Sequence, residues 1–197
     1  MGGALMLTVA GFILTTVLGG LLGAYLQQRT WDHQNETRLR EEELQRASEV
    51  CHAVSGLLDK RRYRMLRVYF AIRNRARESI TTDELDERLS DYDRILYEWN
   101  DALNVNLAMI GTYFGQHARD SLAQAYEIYR DVGSELEIAY RAAADEMQPV
   151  RLDELNRQLE MLNDTAYRIS LFMMTQLREG NVGRHAEQPV ATPQLLG

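Results

Sequence analysis

The segment Glu49-Val50-Cys51-His52 holds residue types that bind transition metals. A Glu-x-x-His pair on a bundle helix supplies half of a di-iron carboxylate site, and the site needs a second such pair with further glutamates. None of the other histidines follows a glutamate at that spacing, so the ligand set is incomplete. We therefore expect no metal and no other cofactor. Glu49 and His52 should lie on a solvated helix face, with Cys51 facing the core as a small hydrophobe.

The segment 60–77 carries eight basic residues, no acidic residue and several interleaved aromatic side chains. Such a surface is typical of sites that bind nucleic acid, anionic lipid or an acidic protein. The segment 83–101 that follows is acidic, so a hairpin between the two would neutralise much of the positive charge. We expect this internal pairing to dominate, with a partner protein as the alternative and no nucleic acid as partner. The candidate interaction residues here are Arg73, Arg75 and Arg77.

Two polar residues, Arg61 and Asn106, interrupt the apolar stripes of the predicted helices. A hairpin near Ile80 brings Arg61 level with Trp99, so the guanidinium can stack on the indole, unless it extends to the bundle surface instead. Asn106 can fix the helix register, as a buried asparagine does in coiled coils. A buried polar cluster lined by Arg61 and Asn106 would favour a bundle that responds to a ligand. A dry, fully packed core would favour a scaffold.

Apolar residues recur at steps of three and four through most of the chain, which predicts a series of amphipathic helices. Thr81 and Glu84 have the spacing of a capping box, Gly115 and Pro149 are predicted breaks, and Gly180 ends the last helix. Short connections make consecutive helices antiparallel neighbours. The predicted fold is all-α, with one N-terminal transmembrane helix followed by an up-down-up-down four-helix bundle whose first helix is extended.

Residues 4–26 contain no charged side chain and, at about 1.5 Å per residue, can cross a hydrocarbon core about 30 Å thick. A cleaved signal peptide is the alternative, but no basic residue precedes the apolar run and residues 23–27 form a poor cleavage site. We predict a transmembrane anchor over 4–26 and a helical stalk over 27–46. A cytosolic bundle over 47–180 and a disordered tail over 181–197 complete the domain organisation.

The positive charges near the apolar run all follow it, beginning with Arg29. This bias places the N-terminus outside and the body in the cytosol, as a single-pass protein of the inner membrane. Small residues recur at every fourth position of the anchor, which lets helix backbones approach closely in lipid. We therefore expect a homo-oligomer through the transmembrane helix, or packing against another membrane protein. The residues of this surface are Gly11, Thr15, Gly19 and Gly23.

The order of an apolar span, Gln27-Gln28-Arg29-Thr30-Trp31, a polar stalk and Leu58-Asp59-Lys60-Arg61-Arg62-Tyr63-Arg64-Met65 resembles uncharacterised bacterial single-span membrane-tethered helical-bundle proteins. The resemblance covers about the first half of the chain and implies a bacterial membrane-tethered bundle. It implies no activity and no functional residue.

The chain has 197 residues, a net charge of −7 and one cysteine, which suits one helical domain in a reducing compartment and excludes a large multidomain enzyme. It contains no glycine-rich phosphate loop, no His-Glu-x-x-His motif and no nucleophile elbow. We therefore expect a non-enzymatic, membrane-anchored scaffold or accessory subunit that acts through protein contacts. The alternative is a membrane-tethered sensor or effector that repacks when it binds a ligand.

Overall fold

The computed structural model of the chain describes the backbone of residues 2–144 and 152–186, and all of their side chains except those of residues 2–18 and Asp32. Three long helices account for most of it: α1 over Gly2–Arg75, α2 over Thr82–Ala144 and α3 over Leu152–Glu179. A short 3₁₀ helix follows at Gly183–His185. Since the described ranges contain no strand, the all-helical prediction is confirmed.

The chain divides into two compact units, Met1–Glu42 and Glu43–Gly197. In the first unit the described side chains are mostly exposed, and Arg38 pairs with Glu42 one turn later at 3.8 Å. Among the residues searched, no helix is both long enough and apolar enough to cross a membrane. Residues 4–18 of the predicted anchor, which include Gly11 and Thr15, lie outside the residues whose side chains the structure describes.

The connection between α1 and α2 is a tight turn closed by a capping box. The Thr81 backbone N–H donates to Glu84 Oε2 at 2.9 Å, and the Glu84 N–H donates to Thr81 Oγ1 at 3.2 Å. These two bonds satisfy donors that the first turn of a helix leaves unpaired. The predicted start of this helix is confirmed.

Gly115 interrupts α2, as the sequence predicts. Its φ of 84° and ψ of 174° are non-helical and belong to a region that residues with a Cβ essentially never adopt. The Tyr140 hydroxyl donates to Asp86 Oδ1 at 2.7 Å, and the rings of Trp99 and Tyr129 stack at 5.6 Å. The residues before and after Gly115 therefore run antiparallel, as a first arm (82–114) and a second arm (116–144).

The second unit is a helical bundle, so the prediction of a helical bundle in this part of the chain is confirmed. Its core is built from residues 47–72 of α1, both arms of α2, and α3, and its largest fully buried apolar side chains are Tyr129, Leu58, Met65, Ile72, Leu85, Ile110, Leu122, Leu136, Leu159, Leu162 and Met173. Three long helices are present, and the non-helical Gly115 divides α2 into two arms, so four helical segments form the core of the second unit.

The end of α3 agrees with the sequence pattern. Gly180, with a φ of 72°, follows the last helical residue, and the Asn181 N–H donates to the Gln176 carbonyl oxygen at 2.9 Å. Val182 is buried, and Arg184 pairs with Glu43 at 2.8 Å, so the beginning of the segment predicted as a disordered tail packs on the bundle. Pro149 and residues 187–197 lie outside the described residues.

Candidate functional site

Arg61 is the one charged residue that the described part of the chain buries, with only 2% of its surface exposed. Its guanidinium carbon lies 5.2 Å from the ring centroid of Trp99 and 5.2 Å from that of Tyr129. The Arg61 Nη2 group donates a hydrogen bond to the Tyr129 backbone carbonyl at 3.3 Å. The predicted stacking on Trp99 is confirmed, and the alternative, in which Arg61 reaches the bundle surface, is wrong.

The guanidinium of Arg61 is incompletely satisfied. Its Nε and Nη1 atoms are buried and have no hydrogen-bond partner, and neither has Trp99 Nε1. No carboxylate of the described residues lies within ion-pair distance of Arg61. Buried charges are normally paired and hydrogen-bonded, because removing an ion from water costs several kcal/mol. Of the described residues, Arg61 therefore has the most buried donor atoms without an acceptor, and an anionic or hydrogen-bond-accepting group would satisfy them.

A pocket of about 320 Å³ opens beside Arg61, between α1 and the two arms of α2. Besides Arg61, its charged and amide groups are Asp93 and Asn100 on the first arm and Arg130 and Glu137 on the second. The remaining lining residues are Leu89, Tyr92, Leu96, Tyr126, Gly133, Ser134 and Leu136. The pocket thus combines apolar walls with a few converging polar groups, which is the usual composition of a small-molecule site.

Asp93 and Glu137 form an acidic pair in this pocket. Burial raises the pKa of the Asp93 carboxyl above its ordinary value, and the nearby negative charge of Glu137 raises it further. Arg130 also lines the pocket, but it is engaged by Glu127 at 2.5 Å and by Asp131 at 3.1 Å. The pocket therefore offers positive charge from Arg61 and negative charge from the acidic pair.

Gly133 shapes the wall of the pocket. A Cβ at this position would lie 2.8 Å from the Tyr92 hydroxyl oxygen and 3.9 Å from Arg61 Nη2. The absence of a side chain lets the Tyr92 ring, which is 5% exposed, approach the second arm closely. A larger residue would displace the tyrosine hydroxyl.

Tyr129 connects this site to the backbone of α1. Its hydroxyl donates to the Leu58 carbonyl oxygen at 3.0 Å, and its own carbonyl accepts from Arg61. Burial raises the pKa of the Tyr129 hydroxyl well above its ordinary value, so the group stays protonated and keeps donating. Arg61 of α1 therefore donates a hydrogen bond to the second arm of α2, and Tyr129 of the second arm donates one to α1.

The basic segment 60–77 is partly neutralised by the first arm of α2. Arg64 and Arg67 both contact Asp91, at 3.0 and 3.3 Å, and Lys60 contacts Glu98 at 3.6 Å. This is the internal pairing that the charge pattern predicts.

The three candidate interaction arginines lie near the end of α1, and none of them lines the pocket beside Arg61. Arg73 is half-buried, and its guanidinium carbon lies 5.0 Å from the Phe70 ring centroid. Arg75 is half-buried and Arg77 is exposed. The structure therefore does not join these arginines to the buried arginine of the same basic segment.

The other sequence candidates stand apart from this pocket. Gly19 and Gly23 are exposed, and no side chain that the structure describes lies within 4 Å of a Cβ built on either. Glu49 and His52 are exposed while Cys51 is 2% exposed, as predicted. Burial raises the pKa of the Cys51 thiol, which lowers its reactivity.

Asn106 is half-buried and does not line the pocket, so the expected cluster contains only Arg61 of the two inward polar residues. The sequence pattern did not predict the acidic pair or the role of Gly133. The available signals were an aspartate one residue after a core tyrosine and a glycine within a helical stripe. Neither signal shows which side chains meet across the two arms.

A second pocket, of about 480 Å³, lies between the second arm and α3 and is lined by His117, Thr165 and Arg168 among others. Its histidine is exposed, and the ring contacts Phe172 edge-on at 5.6 Å. The charged groups of this pocket face solvent, whereas Arg61 is withdrawn from it. We therefore take the pocket beside Arg61 as the candidate site. Comparison with protein-family models, curated proteins and solved structures finds no match for this chain.

Proposed function

We propose that the protein is a membrane-anchored helical-bundle sensor that binds a small polar ligand in the pocket beside Arg61 and catalyses no reaction. One observation carries this proposal: a buried guanidinium with two unpaired nitrogens borders a pocket of about 320 Å³. An uncompensated buried charge destabilises the free protein, so a ligand that supplies the missing acceptors gains that energy on binding.

Repacking of the bundle would report binding. The Arg61 nitrogens without partners are buried, so a ligand atom in the pocket reaches them only if a neighbouring side chain shifts, and the Tyr129 ring lies against the guanidinium. A shift of Tyr129 would strain its hydrogen bond to the Leu58 carbonyl and so change the contact between α1 and the second arm. A ligand that prefers the shifted packing moves the population toward it.

The proposed anchor and topology are supported by the sequence. Residues 4–26 hold no charged side chain. Positive charge follows the apolar run, which favours an N-terminus outside and a cytosolic body at the inner membrane. We propose that Gly11, Thr15, Gly19 and Gly23 pack against a second anchor or another membrane protein.

The test uses the full chain in detergent micelles with Trp31→Phe, which leaves Trp99 as the remaining tryptophan. Emission from Trp99 is recorded during titration with acetate, glycine and methylamine, which represent an anion, a zwitterion and a cation. We expect a saturable change with at least one probe, lost in Arg61→Met. No saturable change with any probe, or an equal change in Arg61→Met, contradicts the proposal.

A scaffold is the second candidate function, favoured by an apolar stripe on α3. Tyr167, Leu171 and Met174 are 64%, 48% and 53% exposed and follow one helix face at spacings of four and three. Exposed apolar stripes often mark protein contacts. In-cell crosslinking from position 174 should capture a defined partner lost in Tyr167→Glu, and absence of a specific crosslink contradicts this second function.

A further inference from the structure

Resting on the proposed function, we propose that the ligand is a small zwitterion with one carboxylate and one ammonium group, the chemistry of a free amino acid. Arg61 would receive the carboxylate, and Asp93 with Glu137 would receive the ammonium. The inference follows from the charges that the pocket places around one small volume.

The carboxylate would bind at Arg61, because two nitrogen atoms of its guanidinium have no hydrogen-bond acceptor. Arg61 Nη2 uses one N–H on the Tyr129 carbonyl, while Nε and Nη1 donate to no protein group. A carboxylate accepts several hydrogen bonds at once and matches the planar guanidinium better than a hydroxyl or an amide does. It would also neutralise the buried positive charge, which a neutral acceptor cannot do.

The ammonium belongs at the acidic pair. Asp93 and Glu137 stand on facing arms of α2, and each is a lining residue of the same pocket as Arg61. Burial first, and the negative charge of Glu137 second, raise the pKa of Asp93, so a cation near both carboxylates would offset their repulsion. The nearby cation Arg130 is already paired with Glu127 and Asp131 and leaves this role open.

Ligands with a single charge fit the pocket less well. A simple anion satisfies Arg61 but approaches the acidic pair, and a simple cation satisfies the pair but approaches an uncompensated guanidinium. A volume of about 320 Å³ lies at the lower end of the range for small-molecule sites. Tyr92 and Gly133 approach each other closely in the wall of this pocket.

The experiment compares matched probes on the full chain in micelles, carrying Trp31→Phe, by Trp99 emission. The zwitterions are glycine, β-alanine and γ-aminobutyrate, in which the two charges lie progressively further apart. Acetate, propanoate and butanoate lack the ammonium group, and methylamine, ethylamine and propylamine lack the carboxylate. We expect one zwitterion to bind saturably, with its matched acid and amine weaker by about tenfold or more.

Substitutions in the protein then show which residues bind the carboxylate and which bind the ammonium group of the ligand. The double substitution Asp93→Asn with Glu137→Gln should weaken binding of the zwitterion by about tenfold or more, because the ammonium contact is lost. Binding of the matched acid should stay unchanged or become tighter. Asp101→Asn, on the same arm and outside the pocket lining, is the control and should change neither affinity. Arg61→Met should abolish the response to the zwitterion and to the acid.

The outcomes separate the two proposals. If the acids alone bind as well as the zwitterions and the acidic-pair variant has no effect, the zwitterion inference is overturned while a ligand-binding sensor stands. If no probe of any charge class produces a saturable response, both proposals are overturned.

Discussion

Arg61 and Tyr129 contact each other through two different groups of the tyrosine. The Arg61 Nη2 group donates to the Tyr129 carbonyl at 3.3 Å, and the guanidinium carbon lies 5.2 Å from the Tyr129 ring centroid. These contacts hold the arginine against the second arm of α2 but leave Nε and Nη1 without acceptors. Interactions with an aromatic face compensate only part of the cost of burying a charge. Part of the cost of burying this charge is therefore not compensated within the protein, and the proposed ligand would offset it.

Arg61→Met tests that explanation through stability. Methionine keeps an unbranched apolar stem and removes the unpaired donors, so we expect the free energy of unfolding to stay equal or rise by about 1–2 kcal/mol. Arg61→Ala, which leaves a cavity, should lower it by about 2 kcal/mol or more. Denaturant titration followed by circular dichroism measures both. A large loss of stability in Arg61→Met would show that the arginine is a structural element.

Tyr129→Phe should change the stability of the bundle in a pH-dependent way. At neutral pH the variant loses the hydrogen bond to the Leu58 carbonyl, which costs about 1 kcal/mol. The folded-state pKa of Tyr129 is raised, so above a pH of about 10 the unfolded tyrosine ionises while the folded one keeps its proton. The wild-type free energy of unfolding then falls with pH by up to about 1.4 kcal/mol per unit.

The variant lacks this alkaline loss, so its deficit should shrink as the pH rises above about 10. Exposed Tyr167→Phe is the matched control and should follow the wild type throughout. Unfolding free energies measured from neutral to alkaline pH test the prediction. A deficit of Tyr129→Phe that stays constant over this range would contradict the protonated, buried hydroxyl.

Asp93→Asn should stabilise the ligand-free protein at neutral pH. The folded-state pKa of Asp93 is raised, by burial first and Glu137 second, so the protonated carboxyl stabilises the fold. That stability is fully present below the unfolded pKa of about 3.9 and is lost as the pH rises through the folded pKa. Asparagine removes the loss, so the gain over wild type should be largest at neutral pH and disappear in acid. A gain that does not vary with pH would contradict this assignment.

Gly133→Ala should narrow the pocket without changing its charge. The new Cβ would lie 2.8 Å from the Tyr92 hydroxyl and displace it, so we expect a weaker ligand response. Gly56→Ala is the matched helical control, because no atom lies within 4 Å of its Cβ, and it should gain about 1 kcal/mol. Thermal unfolding and Trp99 titrations compare the two variants. Equal stabilisation and equal binding would show that Gly133 does not shape the site.

Local sequence signals predicted much of the bundle. The capping box at Thr81 and Glu84, the break at Gly115 and the helix end at Gly180 each depend on residues within a few positions, and all three are present. The stacking of Arg61 on Trp99 was predictable because one hairpin turn fixes which residues of neighbouring helices are level. Such features need only helix geometry and a turn position.

The pocket was less predictable because it depends on three segments at once. Asp93 and Glu137 are 44 residues apart, and they meet only because the two arms reverse at Gly115. The close approach of Tyr92 to Gly133 depends on the rotation of each arm about its axis, which periodicity fixes only coarsely. Asn106 illustrates the same limit, since its inward position in the stripe did not place it in the pocket.

The most direct test of ligand binding at Arg61 is the nuclear magnetic resonance signal of its Nε–H group in the ¹⁵N-arginine-labelled full chain. The Arg61→Lys variant identifies the signal by its loss. The unpaired Nε–H beside the Trp99 and Tyr129 rings should resonate upfield of the exposed arginines. Titration with the zwitterion that gives the tightest Trp99 response should move it downfield saturably, as a carboxylate accepts its hydrogen. A signal that resonates with the exposed arginines, or that stays fixed throughout the titration, would contradict the account.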